Sequence, residues 1–269
     1  MRLNRTLARL RDGQTVFGCA LQCYRSTEIP KALAAAGFDY LFIDMEHGAF
    51  DLETAQDMIE AAVRAGITPL VRVGELLYSL VARLLDVGAQ GIILPRVEDP
   101  SELARALRWM KYPPRGSRGF GVLPPLVDFQ RHSFAEIMDF LDRNTMSVVQ
   151  FETVAALERA DELLAVEGVD VAMIGPSDLS ISLGVPGDFS HPALVRAVER
   201  FIEQCRGHGV VPGIHCRDLE QALQWAQRGM RLVGAGAEHG LLLERARQVA
   251  AALRQTVQPA GLEAPSKMR

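Results

Sequence analysis

Two carboxylates stand at positions in the chain that suit a divalent cation. Glu152 and Asp178 follow the apolar segments Ser147–Phe151 and Val169–Ile174, which are typical of consecutive buried strands. Carboxylates at adjacent strand ends can hold a hard cation such as Mg²⁺ or Mn²⁺ and leave coordination positions open for water and substrate oxygens. Each carboxylate could instead cap the helix that follows it. As a pair, they favour a metal site.

A cation held in this way gives Arg72 a chemical role. The carboxylate and keto oxygens of a 2-oxo acid can chelate such a cation, which stabilises the enolate formed at carbon 3. Arg72 lies at the end of another strand candidate, and its permanently charged guanidinium suits the enolate oxygen or the substrate carboxylate. An ion pair with Asp44 or Glu46 is the alternative. The set predicts an enzyme that makes or breaks a carbon–carbon bond beside a pyruvate-like acid.

His47 is the histidine best suited to move a proton in such a reaction. Imidazole titrates near neutral pH, and the residues around His47 indicate an exposed turn at a strand end. Asp86, at the end of a predicted helix, could orient the imidazole. His215 and His239, near the ends of the last two predicted strands, are weaker candidates for substrate contact.

The sequence gives little support for other catalytic or binding motifs. A Schiff-base lysine would give the same bond chemistry. However, Lys31 and Lys111 fall in predicted helices, and Lys267 lies near the C-terminus. The chain has no GxSxG, HExxH or Walker sequence. The four cysteines have no CxxC spacing and are expected to be small buried hydrophobic residues in a reducing compartment: Cys19, Cys23, Cys205 and Cys216.

The elements that must position these residues alternate along the chain. Eight short apolar runs predict strands at Val16–Leu21, Tyr40–Asp44, Thr68–Val73, Gly91–Pro95, Ser147–Phe151, Val169–Ile174, Val210–His215 and Arg231–Ala235. Apolar residues at helical spacing predict helices at Thr27–Ala36, Leu52–Ala65, Tyr78–Val87, Pro100–Lys111, Val154–Val166, Pro192–His208, Leu219–Arg228 and Leu241–Arg254. Eight strand–helix pairs without a GxGxxG sequence favour an α/β fold of the closed (β/α)8 TIM barrel type, whose reactive groups lie at the carboxyl ends of the strands.

One long connection and the chain end complete this organisation. We expect residues 1–256 to form a single barrel domain and residues 257–269 a flexible tail. The connection Tyr112–Asn144, with a short helix predicted at Phe134–Leu141, is expected to cover the barrel mouth, because long loops in compact domains usually serve function.

Composition narrows the choice of partners. The net charge of −4 and the absence of a run of like charges argue against a nucleic-acid partner. No apolar run is long enough for a membrane span, and the N-terminus lacks the features of a secretion signal. We therefore expect a cytoplasmic protein without a membrane or nucleic-acid partner.

Six ordered motifs resemble the HpcH/HpaI aldolase family, whose members include 4-hydroxy-2-oxoheptanedioate and 2-dehydro-3-deoxyglucarate aldolases. They are AAAGFDYLFIDMEHG, PLVRV, DVGAQGIILPRVE, YPPRGSRGFG, VVQFET and EGVDVAMIGPSDLSISLG, and the similarity runs from about Val16 to about Leu253. The resemblance implies a class II aldolase on a barrel of the phosphoenolpyruvate/pyruvate-domain type. Such an enzyme reversibly cleaves a 4-hydroxy-2-oxo acid to pyruvate and an aldehyde.

The resemblance also implies residue roles and an assembly. Glu152 and Asp178 would bind Mg²⁺, Mn²⁺ or Co²⁺, Arg72 would bind pyruvate, and His47 with Asp86 would manage the proton. Further substrate contacts would come from Gln150, Gly175, Pro176, Ser177 and Asp178. The eighth helix, Leu241–Arg254, would pack on a partner subunit in dimers that assemble into hexamers.

The sequence departs from the family pattern on the aldehyde side of the pocket. Gly74, Glu75 and Leu76 follow PLVRV where many members have a Trp-Asn-Asp-like stretch. Glu238 and His239 stand where an aspartate is common, and Ala20-Leu21 replaces an aromatic residue. The alternatives are therefore a carbon–carbon lyase or synthase with another acceptor, of the citrate-synthase or citryl/malyl-CoA-lyase kind, and a non-catalytic barrel that binds a 2-oxo acid.

Overall fold

Eight apolar segments form a closed barrel of parallel strands, which confirms the predicted (β/α)8 fold. In the computed structural model, which describes residues 1–257, the strands pair in chain order and the last pairs with the first. They are β1 (Val16–Leu21), β2 (Tyr40–Asp44), β3 (Thr68–Arg72), β4 (Gly91–Leu94), β5 (Met146–Phe151), β6 (Val171–Ile174), β7 (Val211–Cys216) and β8 (Leu232–Ala237). Each strand end lies within two residues of its predicted position.

One helix precedes the first strand, and helices follow each of the eight strands along the chain. They are α1 (Arg5–Arg11), α2 (Glu28–Ala35), α3 (Leu52–Ala65), α4 (Tyr78–Asp86), α5 (Pro100–Trp109), α6 (Phe134–Asn144), α7 (Val154–Glu158), α8 (Ala160–Leu164), α9 (Pro176–Ser182), α10 (Pro192–His208), α11 (Leu219–Gln227) and α12 (Glu238–Val257). The helix predicted over residues 154–166 is divided into α7 and α8, and α9 has no counterpart in the prediction.

Local chemistry fixes helix ends where the pattern of apolar residues places them. Asp51 begins α3 by accepting a hydrogen bond from the Thr54 amide at 2.8 Å, which satisfies a donor that lacks a partner within the helix. Gly66 ends the same helix with a φ of 82°, a left-handed conformation that glycine adopts without steric cost. The predicted bounds of α3 are therefore confirmed.

Side chains alternate across each strand and divide the core into two layers. Inward residues such as Phe42, Leu70 and Met173 fill the barrel. Outward residues such as Leu41 and Ile43 pack with the surrounding helices. With both faces covered, polar side chains are concentrated at the strand ends.

The first helix closes the amino end of the barrel. The Thr6 hydroxyl donates to the Thr68 hydroxyl at 2.8 Å, and the Asn4 side-chain amide donates to the Gln90 carbonyl at 2.8 Å. Thr68 and Gln90 stand at the beginnings of β3 and β4. The carboxyl end is thus the end that is open to substrates.

The long connection before β5 does not cover this open end, so that prediction is wrong. Val127 and Ile137 pack on Tyr112 in a separate apolar cluster, and Asp128 pairs with the amino group of Met1 at 3.4 Å. The segment therefore runs along the outer wall towards the amino end. The physical reason is that its own apolar side chains gain cover there.

The last described helix leaves apolar side chains without cover. Leu242, Leu243 and Leu253 of α12 are exposed, and Phe17 on the outer face of β1 is 45% exposed. In the part of the chain that the structure describes, no helix combines the length and apolar character that crossing a bilayer requires. From residue 258 onwards, the predicted flexible tail lies outside the described residues.

Candidate active site

A cavity at the carboxyl ends of the strands brings most of the predicted site residues together. Its lining includes His47, Arg72, Gln150, Asp178 and His215, supplied by five different strands or the loops that follow them. Gly175, Pro176 and Ser177 line the same cavity. This is the position at which barrel enzymes of this class carry out their chemistry.

Arg72 is held by a pair of acidic groups. Asp44 and Arg72 are register partners on β2 and β3, so the shared position places both side chains on the same layer. Nε of Arg72 donates to Oδ1 of Asp44 at 3.0 Å, Nη2 donates to Oδ2 at 2.6 Å, and Nη1 lies 3.1 Å from Oε2 of Glu46. The ion pair that was the alternative for Arg72 is therefore present, and it coexists with the position of Arg72 on the cavity wall.

Burial and pairing act in opposite directions on these charges. Burial alone would raise the pKa of Asp44, but the hydrogen bonds and charge of Arg72 outweigh it and lower that pKa below its usual value. Burial would likewise lower the pKa of Arg72, whereas Asp44 and Glu46 raise it. Both groups therefore stay ionised at neutral pH.

Glu152 lies just beyond β5 and is almost fully buried. Its Oε1 accepts a hydrogen bond from the backbone amide of Arg96 at 3.0 Å, and the side-chain amide of Gln150 donates to its other oxygen. Burial raises the pKa of Glu152, and the negative charges of Glu46 and Asp178 raise it further, whereas the Gln150 contact lowers it. The carboxylate sits in a cluster of like charge.

Asp178 lies in the first turn of α9, which begins at Pro176. Gly175 precedes this helix, and a Cβ atom there would come within 3.0 Å of the Glu152 carboxylate and within 2.9 Å of the Gln150 amide nitrogen. Only glycine lets the backbone approach the acidic cluster so closely. The chain therefore keeps Asp178 beside Glu152.

The helix-capping alternative for the two carboxylates is wrong. Thr153, not Glu152, caps α7 by accepting from the Ala156 amide at 3.1 Å. No side chain caps α9, and Asp178 is not at its capping position. The two carboxylates are thus free for another role.

The residues present fit a hard divalent cation. The ligand atoms are oxygens. Burial is the main cause of the raised pKa of Glu152, and the charges of Glu46 and Asp178 add to it; a cation would neutralise this negative charge. Oε1 of Gln150 is buried without a hydrogen-bond partner among residues 1–257, while the amide nitrogen of the same side chain contacts Glu152. Glu152 and Asp178 would be the charged ligands.

His47 stands at the open edge of the cavity with 53% of its side chain exposed. Its backbone amide donates to Oδ1 of Asp44 at 3.1 Å, and its Nε2 lies 4.0 Å from Oε1 of Glu46. The acidic neighbour within the chain is thus Glu46. The ring is accessible to a substrate hydroxyl or to water.

Within the chain, Asp86 does not contact His47, so the role predicted for Asp86 beside His47 stays a prediction. Asp86 ends α4, which runs from the mouth towards the amino end of the barrel, and its carboxylate accepts from Nη2 of the buried Arg118 at 2.8 Å. A helix end next to a following strand lies at the amino side by topology. Sequence order alone did not reveal which end of the barrel it reaches.

The two weaker histidine candidates differ in surroundings. His215 lies deep in the cavity, with its ring edge on Phe42 and its Nε2 3.0 Å from the Gly236 carbonyl. Burial lowers the pKa of His215 to about 4, so the ring is neutral at working pH. His239 lies at the start of α12 and lines the same cavity.

Sequence reasoning did not predict the contacts of two groups that shape the site, Arg96 and Glu238. Arg96, with a φ of 53°, presents its amide to Glu152 and its Nε to Glu46 at 2.8 Å. Glu238 is 5% exposed and accepts hydrogen bonds from the successive amides of residues 22–24. Pro95 before Arg96 marked a turn, but no sequence signal located Glu238 inside the loop after β1.

This arrangement defines a carbon–carbon lyase of the barrel class, and comparison with known proteins agrees. The HpcH/HpaI aldolase/citrate lyase family model matches residues 25–244. A hydroxypyruvate/pyruvate aldolase of Pseudomonas aeruginosa is 33% identical over 249 residues, covering 92% of both chains. A 4-hydroxy-2-oxo-heptane-1,7-dioate aldolase of Escherichia coli is 35% identical over 247 residues, covering 91% of this chain and 92% of the relative.

A solved structure extends the agreement to three dimensions. An HpcH/HpaI aldolase from Desulfitobacterium hafniense superposes with a TM-score of 0.88 at 30% identity, covering 95% of this chain and 98% of that one. The chain belongs to the HpcH/HpaI aldolase/citrate lyase family. It is an aldolase, as the sequence predicted.

Proposed function

We propose that the protein reversibly cleaves a 4-hydroxy-2-oxo acid to pyruvate and an aldehyde, with a divalent cation held by Glu152 and Asp178. The observation that carries the proposal is the fixed guanidinium of Arg72, which lines the cavity together with Asp178 and lies close to the buried carboxylate of Glu152. Mg²⁺, Mn²⁺ and Co²⁺ all suit oxygen ligands of this kind. When bound, the cation would be chelated by the 2-oxo acid and would supply positive charge that stabilises the enolate.

The protein side chains would divide the remaining work. Arg72 orients pyruvate and adds positive charge at the oxygen where charge develops. Gln150 and the backbone at Gly175, Pro176 and Ser177 line the cavity where the pyruvate carboxylate would lie. His47 takes the proton from the 4-hydroxyl group in cleavage and returns it in condensation, because it is the exposed base at the mouth.

The lysines support a route without an imine. Lys31 is on the outer surface and pairs with Glu28 at 2.7 Å. Nζ of Lys111 donates to the carbonyls of Asp142 and Thr145, at 2.6 and 2.9 Å, near the amino end of the barrel. Among the described residues, neither lysine reaches the cavity.

The assembly and location are part of the same proposal. Exposed leucines on α12 suit packing against a second copy of the chain, in dimers that build a hexamer. An acidic net charge and the reduced, unpaired cysteines suit a cytoplasmic enzyme.

One experiment tests the reaction. The chelator-treated protein is reloaded with Mn²⁺ and incubated with pyruvate and a panel of aldehydes, including succinic semialdehyde and tartronate semialdehyde, and condensation products are identified by mass spectrometry. We expect products only with metal, and no loss of activity when borohydride is added with pyruvate. Metal-independent turnover, or a pyruvyl group trapped on a lysine, would overturn the proposal.

A further inference from the structure

Three side chains of metal-binding types meet at the rim of the cavity, apart from the Glu152 and Asp178 pair. Cys23 follows β1, and Glu238 and His239 begin α12. The Cys23 sulfur, a Glu238 carboxylate oxygen and a His239 ring nitrogen all lie within 4.8 Å of one another. The reaction proposed above assigns no role to these three donors.

Hydrogen bonds within the described chain do not use all the lone pairs of these three donors. Nδ1 of His239 is buried and has no hydrogen-bond partner in the described part of the chain. Cys23 is the exposed cysteine, whereas Cys19, Cys205 and Cys216 are buried, so the prediction of buried cysteines is wrong for Cys23. Oε2 of Glu238 accepts one amide hydrogen bond, from residue 22 at 3.1 Å, and keeps further lone pairs.

The spacing suits a tetrahedral cation. Zinc–nitrogen, zinc–oxygen and zinc–sulfur bond lengths imply donor separations of roughly 3.5 Å in a tetrahedral site. Nδ1 of His239 already lies 3.6 Å from Oε2 of Glu238. The Cys23 sulfur lies within 4.8 Å of a donor atom of each residue, and rotation of this exposed side chain can bring it closer to them.

The backbone around the cluster is fixed before any ion binds. Oε1 of Glu238 accepts from the amides of Cys23 and Tyr24 at 2.6 and 2.9 Å, which ties the loop after β1 to the start of α12. Two of the ligands are therefore attached to the same short network, and little chain entropy remains to be lost on binding.

We propose that Cys23, Glu238 and His239 form a second metal site, for a thiophilic divalent cation such as Zn²⁺. One sulfur, one nitrogen and one oxygen donor select a softer cation than the oxygen-only cluster at Glu152. Three protein ligands leave a fourth position for water or for an oxygen donor in the cavity, which His239 lines. The protein thus carries two cation sites of different chemical preference at one mouth.

Cobalt distinguishes the two sites because only a thiolate ligand gives a sulfur-to-cobalt charge-transfer absorption. The metal-free full-length protein, kept reduced with a non-thiol reductant, is titrated with Co²⁺. We expect this absorption in the wild type and in Glu152→Gln, its loss in Cys23→Ser, and at least tenfold weaker binding in His239→Gln. Cys205→Ala, which removes a buried thiol on α10, serves as the matched control and should keep the absorption.

Stability gives an independent measurement. Zn²⁺ should raise the unfolding temperature of Glu152→Gln, because a ligand that binds the folded state stabilises it, and should raise that of Cys23→Ser much less. No thiolate absorption in the wild type at excess Co²⁺, or an unchanged absorption in Cys23→Ser, would refute the second site. Neither result bears on the aldolase proposal, which is tested by product formation.

Discussion

Arg72 and Asp44 face each other in register on β3 and β2, and the guanidinium donates two hydrogen bonds to the carboxylate. Asp44 is fully buried and Arg72 nearly so. The planar fork matches the carboxylate geometry, which a point charge cannot do. The carboxylate therefore fixes the direction from which Arg72 presents charge to the cavity.

Replacing Arg72 should separate its fold role from its substrate role. Arg72→Ala leaves the Asp44 charge buried and unpaired, which typically costs about 3–5 kcal/mol of unfolding free energy. Arg72→Lys keeps a charge but loses the fork, so we expect weaker pyruvate binding and slower exchange of the pyruvate methyl protons with deuterated solvent. Calorimetry measures the affinity for pyruvate, and proton NMR measures the exchange of its methyl protons.

A double variant provides the control for this comparison. Arg72→Met with Asp44→Asn removes both charges and should recover much of the stability lost in Arg72→Ala, without recovering exchange. Stability is measured by urea unfolding. Normal methyl-proton exchange in either Arg72→Lys or the double variant would show that Arg72 does not serve the enolate.

Replacing either proposed metal ligand should abolish metal binding but leave the protein folded. Glu152→Gln and Asp178→Asn each remove a negative charge at the functional end of the barrel, and neither residue caps a helix. We expect Mn²⁺ binding measured by calorimetry to fall below detection, with the circular dichroism spectrum unchanged. Glu167→Gln, at an exposed position, is the control. Wild-type affinity in either ligand variant would refute that assignment.

The sequence predicted the barrel well because its signals are local. Strand and helix periodicity recur eight times, and β2 and α3 begin and end at the predicted residues. The sequence could locate these four residues because each lies at, or shortly after, the carboxyl end of a strand: Glu152, Asp178, Arg72 and His47. The carboxyl ends of all strands in a parallel barrel lie at the same end of the barrel, independently of the loop conformations.

Features that depend on three-dimensional packing were not accessible from the pattern. The long connection was placed over the mouth, but its apolar residues pack with Tyr112 on the outer wall. Asp86 was expected to act with His47; within the chain, helix direction carries it towards the amino end, where it pairs with Arg118. Glu238 looks like an ordinary helix-starting acid until the amides of the loop after β1 are found around it.

Replacing His47 should slow proton transfer without changing the stability of the fold. Its side chain is half exposed and makes no hydrogen bond within the described chain, so His47→Ala should unfold like the wild type. Cleavage should fall by roughly 10²–10⁴-fold, as for a lost general base, while pyruvate affinity is kept. Single-turnover cleavage and calorimetry measure the two effects. If pyruvate affinity falls as much as cleavage, His47 is a binding residue and the proton role is wrong.

His215 should make the folded state sensitive to mild acid. Burial, together with the charge of Arg72, lowers the pKa of His215 to about 4, although a hydrogen bond with the Gly236 carbonyl and the charge of Asp44 oppose the shift. In the unfolded chain, a histidine titrates near its ordinary pKa of about 6.5. Between these two pH values the unfolded chain binds the extra proton, so unfolding becomes easier as the pH falls from about 6.5 to about 4.

The sensitivity is best measured as a difference between variants, because many carboxylates also titrate in this range. His215→Leu removes the group, so the free energy of unfolding of the wild type should fall relative to this variant as the pH is lowered, by an amount on the order of 1–3 kcal/mol. His132→Leu, at an exposed position on the outer connection, should follow the wild type. Urea unfolding of all three proteins at pH 7, 5.5 and 4.5 makes the comparison. Parallel curves for the wild type and His215→Leu would mean that His215 is protonated as easily in the barrel as in the unfolded chain.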